Sequence, residues 1–365
     1  MFRAKTVLVI GAGASVEVGL PVGEGLLNKI AELTHIKFDP YRQTSGDHVI
    51  VDALKGILNE GRDVKLLNEH LHAAWQLGES AKQALSIDNV IDALEDSRIE
   101  LVGKLGIVRA ILLAESSSHY FRHLNNDLGK IDISKFSETW YSSFTKILTE
   151  NKKKSEIKDI FSNIEIINFN YDRCLEHYLP FSLSSYYGVD QGVIREAMQS
   201  LIIHRPYGVS GRLPWQAGAA PAVAFGAGNA DQLAEAAKQI RTFTERIEEG
   251  TQLKAMRTAI ANADRIVFLG FAFHRQNVEL LAQQVQTHAE IVATTFKISK
   301  SDKAIIRSEL DKAFDIHDLL NEQRVELADM TCQQFFKEYW RTLTAEKSDR
   351  EPFQPQELLG NLRLP

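Results

Sequence analysis

Hydrophobic and polar positions follow two rhythms along this chain. Thr6 to Ile10 is a short, β-branched, apolar run that stops at Gly11, the pattern of a strand buried on both faces. Comparable runs recur at Ile164–Ile167, Leu201–Ile203, Arg265–Leu269 and Glu290–Val292. Segments with helical spacing lie between them, such as Leu233–Ala263, rich in Ala, Glu, Gln, Lys and Arg. Alternating strands and helices predict an α/β fold: a Rossmann-like parallel sheet with helices on both faces. From 31 to 159 strand-like runs are scarce, and amphipathic segments dominate at Val64–Leu77, Asn89–Glu115 and Ile133–Leu148. An ordinary dinucleotide fold brings its second strand about thirty residues after the first, so this stretch predicts a large helical insertion. The division expected is a core of residues 1–30 and 160–300, an insertion of 31–159, and a helical extension of 301–365. The charged stretch Asn151–Lys158 marks the return to the core. The extension carries Lys303–Phe314, Cys332–Leu343 and a polar, proline-bearing tail, Arg350–Pro365.

Composition narrows the function. The 365 residues are 44% hydrophobic and 25% charged, enough apolar mass for a sizeable core. A net charge of −6 argues against direct nucleic-acid binding, which needs a basic face to neutralise phosphates. Lys152, Lys153 and Lys154 form one basic run, best read as a solvated helix end or loop. Cys174 and Cys332 are the two cysteines, too few for a four-cysteine zinc site or a disulfide framework. That points to reducing cytoplasm. The apolar Val7–Ile10 run is too short for a secretory signal, and no stretch approaches a membrane span.

The strongest chemical signal is Ile10-Gly11-Ala12-Gly13-Ala14-Ser15. A strand ends in glycines that allow a tight turn and close backbone approach, and a following helix would offer N–H groups to phosphate. A tight turn without a ligand is the alternative. Val16 stands where the dehydrogenase fingerprint has its third glycine, and no Gly-Lys-Ser/Thr follows, so neither a dehydrogenase nor a Walker loop fits.

Extended to Gly19-Leu20-Pro21, the segment resembles the first motif of the sirtuin superfamily, especially its divergent branch in bacterial anti-phage defence. Asn168-Phe169-Asn170-Tyr171-Asp172 resembles that family's Asn-x-Asp element at the nicotinamide end of the pocket. The segment from Val267 through Gly270, Phe271 and Asn277 is similar to its late strand–glycine element on the adenosine side. Ser86-Ile87-Asp88-Asn89 resembles a feature of the divergent branch's helical insert. The chain departs from sirtuin deacetylases in lacking paired zinc cysteines, and in following Pro21 with Val22-Gly23-Glu24 instead of Asp-Phe-Arg. The family's histidine before a glycine is displaced as well. In Ile203-His204-Arg205-Pro206-Tyr207-Gly208, registration on the glycine puts Tyr207 in its place, with His204 three residues earlier.

The resemblance implies NAD as substrate, with no zinc, and hydrolysis of the nicotinamide–ribose bond to give nicotinamide and ADP-ribose. The implied role is a toxic effector that depletes NAD during infection. Alternatives are an NAD- or ADP-ribose-binding subunit without turnover, or a deacylase or ADP-ribosyltransferase. It further implies that Asn170 orients ribose or water. Asp172 holds the nicotinamide carboxamide or caps a helix, and His204 or Tyr207 acts as base. Gly11, Ala12, Gly13, Ala14 and Ser15 would hold the diphosphate. Pro21, Asp88, Gly270, Phe271 and Asn277 would complete the pocket, Asp88 being equally suited to a helix cap. His70, His72, His119 and His177 read as surface or packing residues. A homo-oligomer controlled by a separately encoded sensor, an ATPase or a nucleotide-signal protein, is the expected assembly.

Overall fold

The computed structural model describes residues 1–40, 42–58, 64–124, 127–242, 250–283, 285–314 and 324–346. The chain opens with β1 (Thr6–Ile10) and α1 (Glu24–Thr34), then an antiparallel hairpin of β2 (Lys37–Asp39) and β3 (Arg42–Ser45). Four helices follow: α2 (His48–Ile57), α3 (Val64–Ala81), α4 (Ile87–Leu94) and α5 (Ser97–Ser117). A second hairpin, β4 (His123–Leu124) and β5 (Asp127–Ile131), leads to α6 (Trp140–Thr149). Then come β6 (Ile164–Asn168), α7 (Cys174–Tyr187), α8 (Gln191–Ala197) and β7 (Ile202–His204). The last part holds α9 (Ala230–Ala237), α10 (Thr251–Ala261), β8 (Arg265–Leu269), α11 (Arg275–Ala282), β9 (Glu290–Thr294) and α12 (Lys300–Ala313). It ends with β10 (Val325–Ala328), α13 (Cys332–Glu338) and α14 (Trp340–Thr344).

A run with no solvent-tolerant side belongs at the centre of a sheet, and β1 lies between β6 and β8 in a six-stranded parallel sheet. The spatial order is β7-β6-β1-β8-β9-β10, so the six strands in chain order run 3-2-1-4-5-6, the doubly wound arrangement. Alternation divides their side chains. Val7, Val9, Ile167, Ile266 and Phe268 enter one core with α1–α5 and α9–α12. Leu8, Ile10, Ile166, Val267 and Leu269 enter the other with α6, α7, α8 and α13. The residues between 31 and 159 thus cover both faces of the sheet.

Three details depart from the sequence pattern. The extension is not purely helical: Val325–Ala328 adds β10 to the sheet edge, so the sheet continues beyond residue 300. Asn89–Glu115 is broken at Glu95, which takes a left-handed φ of 46°, and Asp96 then caps α5 by accepting from the Arg98 N–H. Leu233–Ala263 separates into α9 and α10. The tail Arg350–Pro365 lies outside the described residues. Among the described residues no helix is long and apolar enough to cross a membrane.

Candidate active site

The turn after β1 interlocks with the turn after β8. Gly11 donates its N–H to Leu269 O at 2.9 Å, Gly13 donates to Gly270 O at 2.9 Å, and Ala14 donates back to Gly11 O at 3.0 Å. A Cβ on Gly11 would lie 2.6 Å from Gly270 O, and one on Gly13 2.8 Å from it. Gly270 itself takes φ 55°, and a Cβ there would stand 2.1 Å from Ala14 N. These glycines therefore let two backbones approach each other, and the Gly11 and Gly13 N–H groups are committed to that contact. The expected α-helix N-terminus is also absent here. Ala12–Val18 forms a 3-10 helix, ended by Gly19 at φ 82°, and it lacks the aligned dipole of a longer α-helix. Exposed Ala12 is the open edge of the turn; Pro21 lies half-buried between Gly19 and α1. The crevice of a doubly wound sheet opens where the strand order reverses, here between β1 and β8.

Glu17 anchors this turn from beneath. Its carboxylate accepts from Trp140 N and Gln333 N, both at 2.8 Å, while the Trp140 indole donates to Ala14 O at 2.7 Å. Burial pushes the Glu17 carboxyl up, and the two backbone N–H bonds oppose that rise.

Beside the turn, the end of β6 delivers a buried polar network. Asn170 N donates to Asn168 Oδ1 at 2.9 Å, which fixes the chain direction as the strand ends. The Asn170 side-chain amide donates to Gly11 O at 3.1 Å and to Ser15 Oγ at 3.0 Å. Ser15 in turn donates to Asp172 Oδ2 at 2.7 Å, and the other Asp172 oxygen accepts from Cys174 N at 3.0 Å, at the head of α7. The fully buried Tyr141 phenol is raised well above an ordinary tyrosine by burial, with Cys174 and the Asp172 carboxylate nearby, and a hydrogen bond with Ser15 opposes the rise. Burial likewise keeps Cys174 a thiol. One expectation changes, and for Asp172 the bond from Cys174 N at the head of α7 fits the helix-capping alternative. Ser15 has its proton on Asp172, so it supports Asn170 instead of donating to a diphosphate. Asp172 has both oxygens engaged within the protein.

A second group stands across Phe169. The Phe169 ring packs edge-on against Tyr207 at 5.6 Å and against Phe271 at 5.0 Å, which makes Phe271 part of an aromatic wall. The Tyr207 hydroxyl donates to Asn277 Oδ1 at 2.5 Å, so α11 and the turn after β7 are joined. Burial and the Asp88 carboxylate raise Tyr207 far above the normal tyrosine range. Asp88 comes from α4. Ser86 caps that helix by accepting from Asn89 N at 3.2 Å, so capping is not the task of Asp88. Its Oδ1 is sealed from solvent with no hydrogen-bond partner among the described residues, and burial pushes its carboxyl up to about 7.

His204 is placed differently. It pairs in register with Ile167, and its Nε2 lies 3.1 Å from Glu165 Oε2, so the imidazole leans back along the sheet away from the strand end that carries Asn170. It lines two neighbouring cavities beside α10, of about 490 and 650 Å³. The residue that reaches the Asn170 loop is Arg205, which donates to Asn170 O at 2.8 Å and Asp172 O at 3.1 Å and pairs with Glu176. Of the other histidines, His70 is buried against Leu66 O, and His72, His119 and His177 pack on aromatic rings.

Arg205, Glu17 and the buried pair Glu115–Arg173 carry no short-range sequence signal. Arg173 donates to Glu115 at 3.1 Å through Nε and to Val223 O at 2.6 Å, and Gly226 N donates to Glu115 at 2.9 Å. These bonds tie α5 to the residue after Asp172. Among the described residues no group of three or more His, Cys, Asp or Glu is placed to hold a metal. The chain matches no family model, and no curated protein matches it.

Proposed function

We propose that this chain is an NAD hydrolase that cleaves the nicotinamide–ribose bond to release nicotinamide and ADP-ribose. The observation that carries the reading is the clamped amide of Asn170. A backbone carbonyl only accepts, so the Asn170 atom facing Gly11 O must be the amide nitrogen. With that nitrogen held by Gly11 and Ser15, Oδ1 is the pole left outside the network. A fixed carbonyl oxygen favours developing positive charge and disfavours an oxyanion.

That polarity suits this reaction. The pyridinium–ribose bond breaks with its electron pair going to nicotinamide, which leaves neutral, and positive charge passes to the ribose. Water adds to the anomeric carbon and releases its extra proton to solvent. Asn170 Oδ1 orients the water or a ribose hydroxyl and stabilises the charged sugar, with Ser15 and Asp172 holding the amide in place. The doubly wound sheet supports the reading at a coarser level, since its switch point is where such folds hold nucleotides. Depletion of NAD in anti-phage defence, under a separately encoded regulator, is the biological setting we propose.

A second reading, NAD or ADP-ribose binding without turnover, is favoured by the engagement of His204 with Glu165. Incubation of the purified chain with NAD, followed by chromatography of nicotinamide and ADP-ribose, separates the two. Release that falls at least about a hundredfold in Asn170→Ala, and less in His204→Ala, is the expected result. ADP-ribose binding by calorimetry without release selects the second reading. Neither binding nor release rules out both.

A further inference from the structure

The geometry points to Asp88, from the inserted helix α4, as the residue that recognises the primary carboxamide of a pyridine ring and rejects a carboxylate in its place. This rests on the NAD reading and assigns the pyridine end of the same site.

Three observations carry it. First, Asp172 is already engaged within the protein, accepting from Ser15 and from Cys174 N, one bond to each oxygen. Second, Asp88 Oδ1 is a buried acceptor with no donor among the described residues. Buried polar atoms are almost always satisfied, so an orphaned acceptor asks for a donor brought by a ligand. Third, its surroundings fit a flat heteroaromatic amide. Tyr207, close enough for the Asp88 charge to act on it, packs edge-on against Phe169. Phe271 extends the wall, and Asn277 holds the Tyr207 hydroxyl. Phe169 and Phe271 follow the ends of β6 and β8, so this wall stands at the same C-terminal edge of the parallel sheet as Asn170. At pH 8.5, where Asp88 is ionised and at which the binding is measured, a carboxamide N–H meets Asp88 Oδ1 with charge-assisted strength, whereas a carboxylate would face it with like charge.

Free nicotinamide and nicotinic acid are the probes, with binding to the full chain followed by saturation-transfer NMR and ADP-ribose binding by calorimetry. The wild type is expected to bind nicotinamide at least about tenfold tighter than nicotinic acid. Asp88→Asn, which is isosteric and keeps an acceptor while adding a donor, should lose most of that preference. Asp88→Leu should weaken nicotinamide about tenfold while ADP-ribose binding stays. Unchanged discrimination in Asp88→Asn overturns the assignment, as does ADP-ribose binding without any nicotinamide binding in the wild type; both leave the NAD reading standing. A wild type that binds neither nicotinamide nor ADP-ribose overturns the NAD reading and this assignment with it.

Discussion

Replacing Asp88 by Asn isolates what it costs the fold to hold a carboxylate where water reaches it poorly. In the unfolded chain this group ionises at its ordinary 3.8; in the fold, burial moves it to about 7. Below 3.8 the side chain is neutral in both states and has no effect on the balance. As pH rises toward 7, the unfolded chain has already released its proton while the folded chain still holds it. Stability therefore falls across this window, and the penalty is complete above about 7. A rise from 3.8 to about 7, at about 1.36 kcal/mol per unit, is about 4 kcal/mol. The N–H of Asp88 itself, at the start of α4, already opposes the shift. Partial exposure of the residue allows further relief, so about 2–4 kcal/mol is the expected range. Asn has the same shape and no charge. Urea unfolding of wild type and Asp88→Asn at pH 4 and pH 8.5 should give a small difference at the lower pH, where the unfolded carboxyl is only partly ionised, and a clearly more stable variant at the higher. The other titrating groups cancel in the difference between the two proteins. A difference that does not change with pH, or a variant less stable at pH 8.5, refutes the argument that Asp88 is desolvated and unpaired.

Ser15→Ala should lower nicotinamide release about tenfold while keeping ADP-ribose binding, because it frees Asn170 to rotate. The same change should cost about 1–3 kcal/mol in urea unfolding, by leaving Asp172 Oδ2 without a donor. Gly270→Ala should cost more than about 3 kcal/mol, since its Cβ would meet Ala14 N and its φ is left-handed. Gly25→Ala, in α1 with ordinary clearance, should stabilise by about 0.5 kcal/mol; equal melting temperatures for the two alanine variants would contradict the interlocked turns. Glu115→Ala strands the buried Arg173 guanidinium and should cost about 3–5 kcal/mol, read as a lower urea midpoint.

The sheet was largely legible because a strand buried on both faces must be apolar throughout, which is why Thr6–Ile10 and Arg265–Leu269 stand out. Val325–Ala328 was not: four residues at an edge, with Glu326 exposed, carry too little pattern. The helix breaks depend on single residues, such as Glu95 in a left-handed conformation, that helical spacing does not reveal. The candidate site divides in the same way. Asn170, Ser15 and Asp172 could be picked from their motifs, yet what each bonds to depends on partners more than 150 residues away. Gly11 and Gly13 were visible as glycines; that Gly270 is what needs their missing side chains appears only when β1 and β8 lie together. Arg205 and Glu176, or Glu115 and Arg173, are ordinary charged residues until folding removes them from water.

The central position of β1 has a consequence for synthesis. Its pairing partners are Ile164–Asn168 and Arg265–Leu269, so β1 cannot be paired until at least 158 further residues have followed Thr6 to Ile164. At about 5–20 residues per second, that is a wait of roughly 8–30 seconds for a bare β-rich segment. Five of the helices made in that interval, α1–α5, send side chains into the core of Val7 and Val9, and α6 packs into the core of Leu8 and Ile10. They give the nascent chain a cover for its most aggregation-prone stretch before the sheet exists, and shortening the insertion should therefore show first as lost soluble yield.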